Sequence, residues 1–196
     1  MVGNIRLKNY LVEFKPREPV TADPWRLDRN TLFQIVDVRD ISLSTVRYID
    51  TLTELIDVNS SFADMQRTRT KSKRVVRSVN VDNEDGEDHL DDTADNDTSI
   101  AAGNRLFRLT LQDYHGNLCY GFEQEPLLFL RANNGLYPIP LGSKLIVKGG
   151  LTNVIFNCIQ LTNLNTEYLG GEIDRMNFGL FERELGKMKK EIGRDD

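Results

Sequence analysis

Two cysteines, two histidines and one run of acids are the residues that could give this chain catalytic or metal chemistry. A nucleophilic cysteine or serine needs a base beside it, usually a histidine held in place by a third group. Cys119 and Cys158 lie instead in stretches that alternate like strands, where a thiol serves as a small apolar side chain. His89 stands among carboxylates and His115 in a turn, and neither has a second His or Cys at metal-ligand spacing. From Asp82 to Asp97 there are nine acids and no Lys or Arg. This run is not a calcium loop, because counting back from Gly86 puts Val81 where the first ligand must be a carboxylate. No GxxxxGK[ST], GxGxxG or nucleophile elbow occurs. The expectation is a binding module with no catalytic residue, no cofactor and no metal.

The charge is unevenly placed. Arg67, Arg69, Lys71, Lys73, Arg74 and Arg77 form a block of six bases without an acid, directly before the acidic run. Outside these two blocks 19 bases face 21 acids, so the net charge of −5 arises largely from the acidic run and argues against a uniformly basic nucleic-acid coat. Residues 59–103 carry few large apolar side chains and no aromatic beyond Phe62. Such a segment buries too little to offset an ordering entropy of roughly 1–2 kcal/mol per residue, and it reads as a long, mostly disordered excursion. Two readings of its blocks stand: opposite charges that keep a linker solvated, or a basic block that touches a phosphate backbone while the acidic block limits the contact.

Soluble, intracellular placement follows from simple features. The longest apolar run, Leu127–Leu130, is far short of the ~20 residues a membrane span needs, and the N-terminus mixes charge into its apolar residues like no signal peptide. Two cysteines make no disulfide framework, so a reducing compartment is expected.

The elements that must position any site follow a period of two. Residues 32–41 read as a long strand. Phe107, Leu109 and Leu111 alternate with Arg108, Thr110 and Gln112, a five-residue turn at 113–117 follows, and Leu118, Tyr120 and Phe122 alternate with Cys119, Gly121 and Glu123 on the return. The stretch from Pro126 to Pro140 is irregular. Residues 144–148 form a short strand, and 154–161 pairs back on it after Gly149-Gly150. Five strands of this size fit an all-β, five-stranded OB-type barrel over 1–196, with an N-terminal extension over 1–30 and the insertion, 42–104, between the first two strands. Residues 44–58 carry helical spacing, so the insertion is expected to open with a short helix. From Glu172 the period turns helical: Ile173, Met176, Leu180, Leu185, Met188 and Ile192 predict one C-terminal helix over 172–193 docked on the barrel.

The outward faces bear on function. With Phe107 and Tyr120 turned inward, the exposed sheet would offer Arg108, Thr110, Gln112, Cys119, Gly121 and Glu123, a poor platform for stacking bases. With Leu145 and Val147 inward, Ile146 would point out between Lys144 and Lys148. Surplus apolar surface flanked by charge suits a protein interface, and packing of the C-terminal helix explains it equally well.

FRLTLQD (107–113), PIPLGSKLIVKG (138–149) and NTEYLGG with EID (165–174), in that order, resemble the OB domain of the RecQ-mediated genome instability proteins over about residues 31–178. The resemblance implies a non-catalytic subunit of the topoisomerase III–RecQ helicase complex. That nuclear complex separates double Holliday junctions into non-crossover products and protects genome stability. It implies type IA topoisomerase III and a RecQ-family helicase as partners. Pro140, Leu141, Gly142, Ser143 and Lys144 fall on the family's topoisomerase-docking motif, with Ile146 and Lys148 beside them; Leu169, Gly170 and Gly171 fall on its Leu-Gly-Gly turn, where turn geometry already calls for glycine. The family's insertion reaches into the topoisomerase gate, which makes Arg67–Arg77 the expected gate or DNA contact. The chain is similar to short fungal members, without the helical bundle and second OB domain of animal-type ones. The rival reading is an autonomous single-stranded DNA-binding OB protein.

Overall fold

The computed structural model describes residues 7–67, 105–132 and 134–193, and the side chains within them except those of 61–67. Among the described residues eight strands form one sheet: β1 (Trp25–Arg26), β2 (Thr31–Asp40), β3 (Phe107–Gln112), β4 (Leu118–Glu123), β5 (Lys144–Val147), β6 (Asn153–Ile155), β7 (Cys158–Leu161) and β8 (Thr166–Gly170). Their order is β1-β6-β7-β4-β3-β2-β5-β8, antiparallel throughout except for the β4–β7 pair. β7 and β8 are joined by residues 162–165 alone, yet lie on opposite flanks of β4-β3-β2-β5, so the sheet must curl until the chain can bridge it. Together they act as one barrel strand in two halves. The expected OB barrel is thus present, with β2, β3, β4, β5 and β7–β8 as its five strands and the insertion between β2 and β3. The β1–β6 pair is added at the flank.

β2 contains the feature that sets the site. Its register slips between Ile35 and Asp37, a β-bulge, so the buried set changes from Thr31, Phe33 and Ile35 to Val38 and Asp40. Asp40 therefore ends the strand pointing inward.

β4 faces the opposite way from the sequence expectation. Cys119, Gly121 and Glu123 are buried, and Leu118 and Tyr120 are exposed at 62% and 45%, with Phe122 half-buried beside them. Gly121 explains the choice: a Cβ there would lie 2.8 Å from Leu161 and 3.0 Å from Leu111. Glu123 tolerates burial because Oε2 accepts Phe107 N (2.8 Å), Oε1 accepts Leu127 N (2.8 Å), and Arg131 pairs with it at 3.0 Å.

The run 154–161 is a hairpin, not one strand: Phe156 (φ 50°) and Asn157 (φ 57°) turn the chain between β6 and β7. Val154 pairs with Ile159 on the buried face, and Phe156 is left exposed. β8, which takes in Leu169 and Gly170 of the expected Leu-Gly-Gly turn, pairs with β5. The irregular connection plugs the barrel with Leu127, Leu130, Leu136, Tyr137, Ile139 and Leu141. The segment expected as an N-terminal extension contributes buried Phe14, whose ring lies 6.1 Å from both Trp25 and Phe33.

Among the described residues three α-helices complete the fold. α1 (Thr45–Arg67) opens the insertion and runs well beyond the short helix expected, so 59–67, read as disordered, is helical. Ser44 caps it through Arg47 N (3.2 Å), and Tyr48, Ile49, Leu52 and Leu55 form its buried stripe. The expected single C-terminal helix is divided into α2 (Asp174–Asn177) and α3 (Leu180–Glu191), because Gly179 adopts a left-handed conformation (φ 56°) between them. α3 buries Leu180, Phe181 and Met188 and packs on α1.

Candidate partner-docking site

The segment 140–148 folds as a corner before and along β5. Gly142 has φ 90°, and a Cβ there would meet Ile173 Cγ1 at 2.6 Å and Ile173 N at 2.7 Å, so only glycine lets the start of α2 approach. The buried Ser143 hydroxyl lies 2.6 Å from Pro140 O, 2.7 Å from Gly171 O and 3.1 Å from the Tyr168 hydroxyl, tying the corner to the end of β8. The Asn177 side chain accepts from Leu141 N and donates to Leu141 O, both at 2.9 Å. Lys144 Nζ donates to Gln34 Oε1 (2.5 Å) and Gly142 O (3.0 Å), and burial lowers its pKa.

Ile146 turns away from the core-facing Leu145 and Val147, as expected, but it is covered rather than exposed. It is 2% exposed, opposite Leu32 and Glu167 in the neighbouring strands. Leu141, Gly142 and Ser143 are buried as well, leaving Pro140, Lys144 and Lys148 half-buried at the surface. Lys148 Nζ donates to Leu164 O (3.0 Å). The corner is chiefly a scaffold, and what it holds out is the α2–α3 elbow. There Phe178 is 83% exposed, beside partly exposed Ile173. The elbow backbone is fixed by Arg183, which donates to Phe178 O and to Met176 O (2.7 Å), and by Asn177 Nδ2 on Ile173 O (3.0 Å). No sequence signal singles out Phe178, because it falls outside the helical stripe.

At the root of the insertion the structure brings together Asp40 and Arg105, 2.7 Å apart and both buried. Neither residue stands out in sequence.

On the outer sheet face, Arg108 pairs with Phe122 and Thr110 with Tyr120, and the Arg108 guanidinium sits 4.7 Å from the Tyr120 ring centre. The inference that this face lacks aromatics is overturned by the register.

A family model described as "RMI1, N-terminal OB-fold domain" matches residues 12–183. The chain belongs to this RMI1 OB-fold family. It is also similar to the Schizosaccharomyces pombe protein named RecQ-mediated genome instability protein 1, being 28% identical over 191 residues that cover 90% of this chain and 74% of that one. The RMI1 match begins ahead of the 31–178 resemblance seen in sequence, and it takes in Phe14 and Trp25, which the fold uses as core.

Of the basic block, Arg67 ends α1, and Arg69, Lys71, Lys73, Arg74 and Arg77 lie outside the described residues. His89 and the acidic run lie there too. Among the described residues no group of three or more His, Cys, Asp or Glu stands together as a metal site, and no helix is long and apolar enough to cross a membrane. Burial raises the pKa of Cys119 strongly and that of Cys158 less, so neither thiol is poised as a thiolate.

Proposed function

We propose that this chain is a non-catalytic, nuclear subunit of a RecQ helicase–topoisomerase III complex. In this reading it binds the type IA topoisomerase and tunes its gate to promote double Holliday junction dissolution, and thereby protects genome stability. The observation that carries the proposal is the RMI1 family match together with the name of the S. pombe relative. The corner supports it physically: the Ser143 and Asn177 hydrogen bonds mount the α2–α3 elbow rigidly, and the exposed Phe178 ring it holds out is the kind of apolar anchor a partner pocket desolvates. The insertion supplies the regulatory part. A segment that binds the open and closed gate unequally shifts their populations by that difference. Of the 42–104 segment, Thr45–Arg67 is helical, and that helix packs on α3.

Deleting 68–103 tests the proposal. It should leave binding to topoisomerase III within about threefold and remove stimulation of dissolution. Full stimulation by the deleted chain would overturn the gate role.

A second reading, autonomous binding of single-stranded DNA, is favoured by the outward Tyr120, Phe122 and Arg108. Stacking on such a face contributes about 1–3 kcal/mol per base. A salt titration with oligonucleotides separates the two: this reading requires that Tyr120→Ala weaken binding more than neutralising Arg67–Arg77 does.

A further inference from the structure

The Arg105 guanidinium donates to two separate parts of the chain. Nε donates to Asp40 Oδ2 at the end of β2 (2.7 Å), and Nη1 and Nη2 donate to Asn134 O and Gly135 O of the irregular connection (3.0 Å each). The other Asp40 oxygen accepts Ser42 N (3.0 Å) and the Ser42 hydroxyl (2.5 Å), and Ile41 N donates to Leu106 O (2.8 Å). The point where the insertion leaves the barrel and the point where it returns are therefore locked side by side. A second layer secures the first: Arg131 Nη2 donates to Arg105 O (2.8 Å) and to Glu123 Oε2 (3.1 Å), and the Arg105 and Arg131 guanidiniums lie 4.6 and 5.1 Å from the Phe107 ring centre.

A buried ion pair adds little net stability over a well-packed apolar pair, because both charges lose their water. Its distinct contribution is geometric, since the planar fork of Arg accepts only one arrangement of acceptors. Just four residues, 41–44, separate the clamp from the capped start of α1, whose Tyr48, Leu52 and Leu55 are buried in the core.

We propose that Arg105 is a positioning residue whose clamp fixes the direction in which the insertion leaves the barrel, and that this fixed direction couples docking to control of the gate. The second half rests on the proposed function. A loosely rooted arm would still hang from a docked barrel, but its motion would be uncoupled from that of the gate.

The test uses the full chain with topoisomerase III, comparing Arg105→Met, which removes the charge and donors, with Arg105→Lys, which keeps a partner for Asp40 and gives up the fork. Amide hydrogen exchange is read at Ile41 and Ser42 in the free chain, and dissolution is read at saturating chain. Arg105→Met should raise exchange at these amides at least about tenfold, leave the Kd for the topoisomerase within about threefold, and lower stimulation at saturation about tenfold, with Arg105→Lys between. Unchanged exchange overturns the clamp. Raised exchange with full stimulation overturns the coupling, as does a loss confined to Kd. If the wild-type chain itself fails to bind the topoisomerase, the proposed function fails, and the exchange result alone still decides the clamp. Should Arg105→Met not fold, Arg105→Lys carries the same comparison.

Discussion

The Asn177 side chain pairs with both the N–H and the C=O of Leu141, as a neighbouring strand would, and so fastens α2 to the corner ahead of β5. A carboxamide sets an N–H beside a C=O in the spacing a peptide group presents, and its second N–H serves Ile173 O. Asn177→Ala leaves both Leu141 groups without that partner and should cost about 1–3 kcal/mol in urea unfolding. Asn177→Asp keeps the acceptor and gives up the donor, so its cost should be of the same order.

Phe178→Ala separates docking from stability. The ring is 83% exposed, so its removal should change unfolding free energy by no more than about 0.5 kcal/mol. If the elbow is the anchor, affinity for topoisomerase III should fall about tenfold or more, read by calorimetric titration.

Gly142→Ala should do the reverse. The φ of 90° and the 2.7 Å approach to Ile173 N admit no Cβ unless backbone moves. A cost of about 2 kcal/mol or more is expected, with α2 displaced and docking weakened as a consequence. Lys148→Ala, on the same segment but at the surface, should lie within about 0.5 kcal/mol of wild type.

The N-terminal segment is held by Asp113, whose Oδ2 accepts Phe14 N (2.7 Å) and Asn117 Nδ2 (2.9 Å) and whose Oδ1 accepts Asn117 N (2.9 Å). Burial pushes this carboxyl up, but the hydrogen bonds from Asn117 and Phe14 outweigh it and leave the pKa lowered. A lowered pKa contributes stability that is present above the ordinary aspartate value of about 3.9 and lost as pH falls through the folded value. Acid should therefore loosen the Phe14 segment first, seen as rising Trp25 fluorescence change, and Asp113→Asn should remove that dependence.

Glu184 in α3 has the opposite sign. Burial raises its pKa; Asp37 adds to the rise, and Lys187 and Arg183 oppose it. A raised pKa contributes stability present below the ordinary glutamate value of about 4.3 and lost as pH climbs through the folded value. Glu184→Gln, neutral at every pH, should flatten this part of the profile and gain stability relative to wild type at pH 7.

Much of the barrel was legible in sequence because β3 alternates over a half-buried face and the turns between strands carry Gly or Asn. The misreadings share a cause: long-range partners decided the face or the element. Glu123 looks like a surface residue until Phe107 N, Leu127 N and Arg131 are brought to it, and Gly121 looks permissive until Leu161 and Leu111 crowd it. The bulge in β2 that turns Asp40 inward leaves no mark in the alternation. Phe14 lies too far from the barrel sequence for its pairing with Asp113, 99 residues away, to be inferred. Within the candidate site, the corner motif is visible as a pattern and Ile146 turns out from the core as its alternation predicts, but its being covered has no local sign, and Phe178 and Arg105 carry no local pattern at all.

The proposed role of this barrel is to grip a type IA topoisomerase. Titrating the purified full chain into topoisomerase III from the same organism, with no DNA present, tests it most directly. Saturable one-to-one binding is expected, weakened by Phe178→Ala and left unchanged by Tyr120→Ala. Absence of binding, with oligonucleotide affinity that depends on Tyr120, would contradict it.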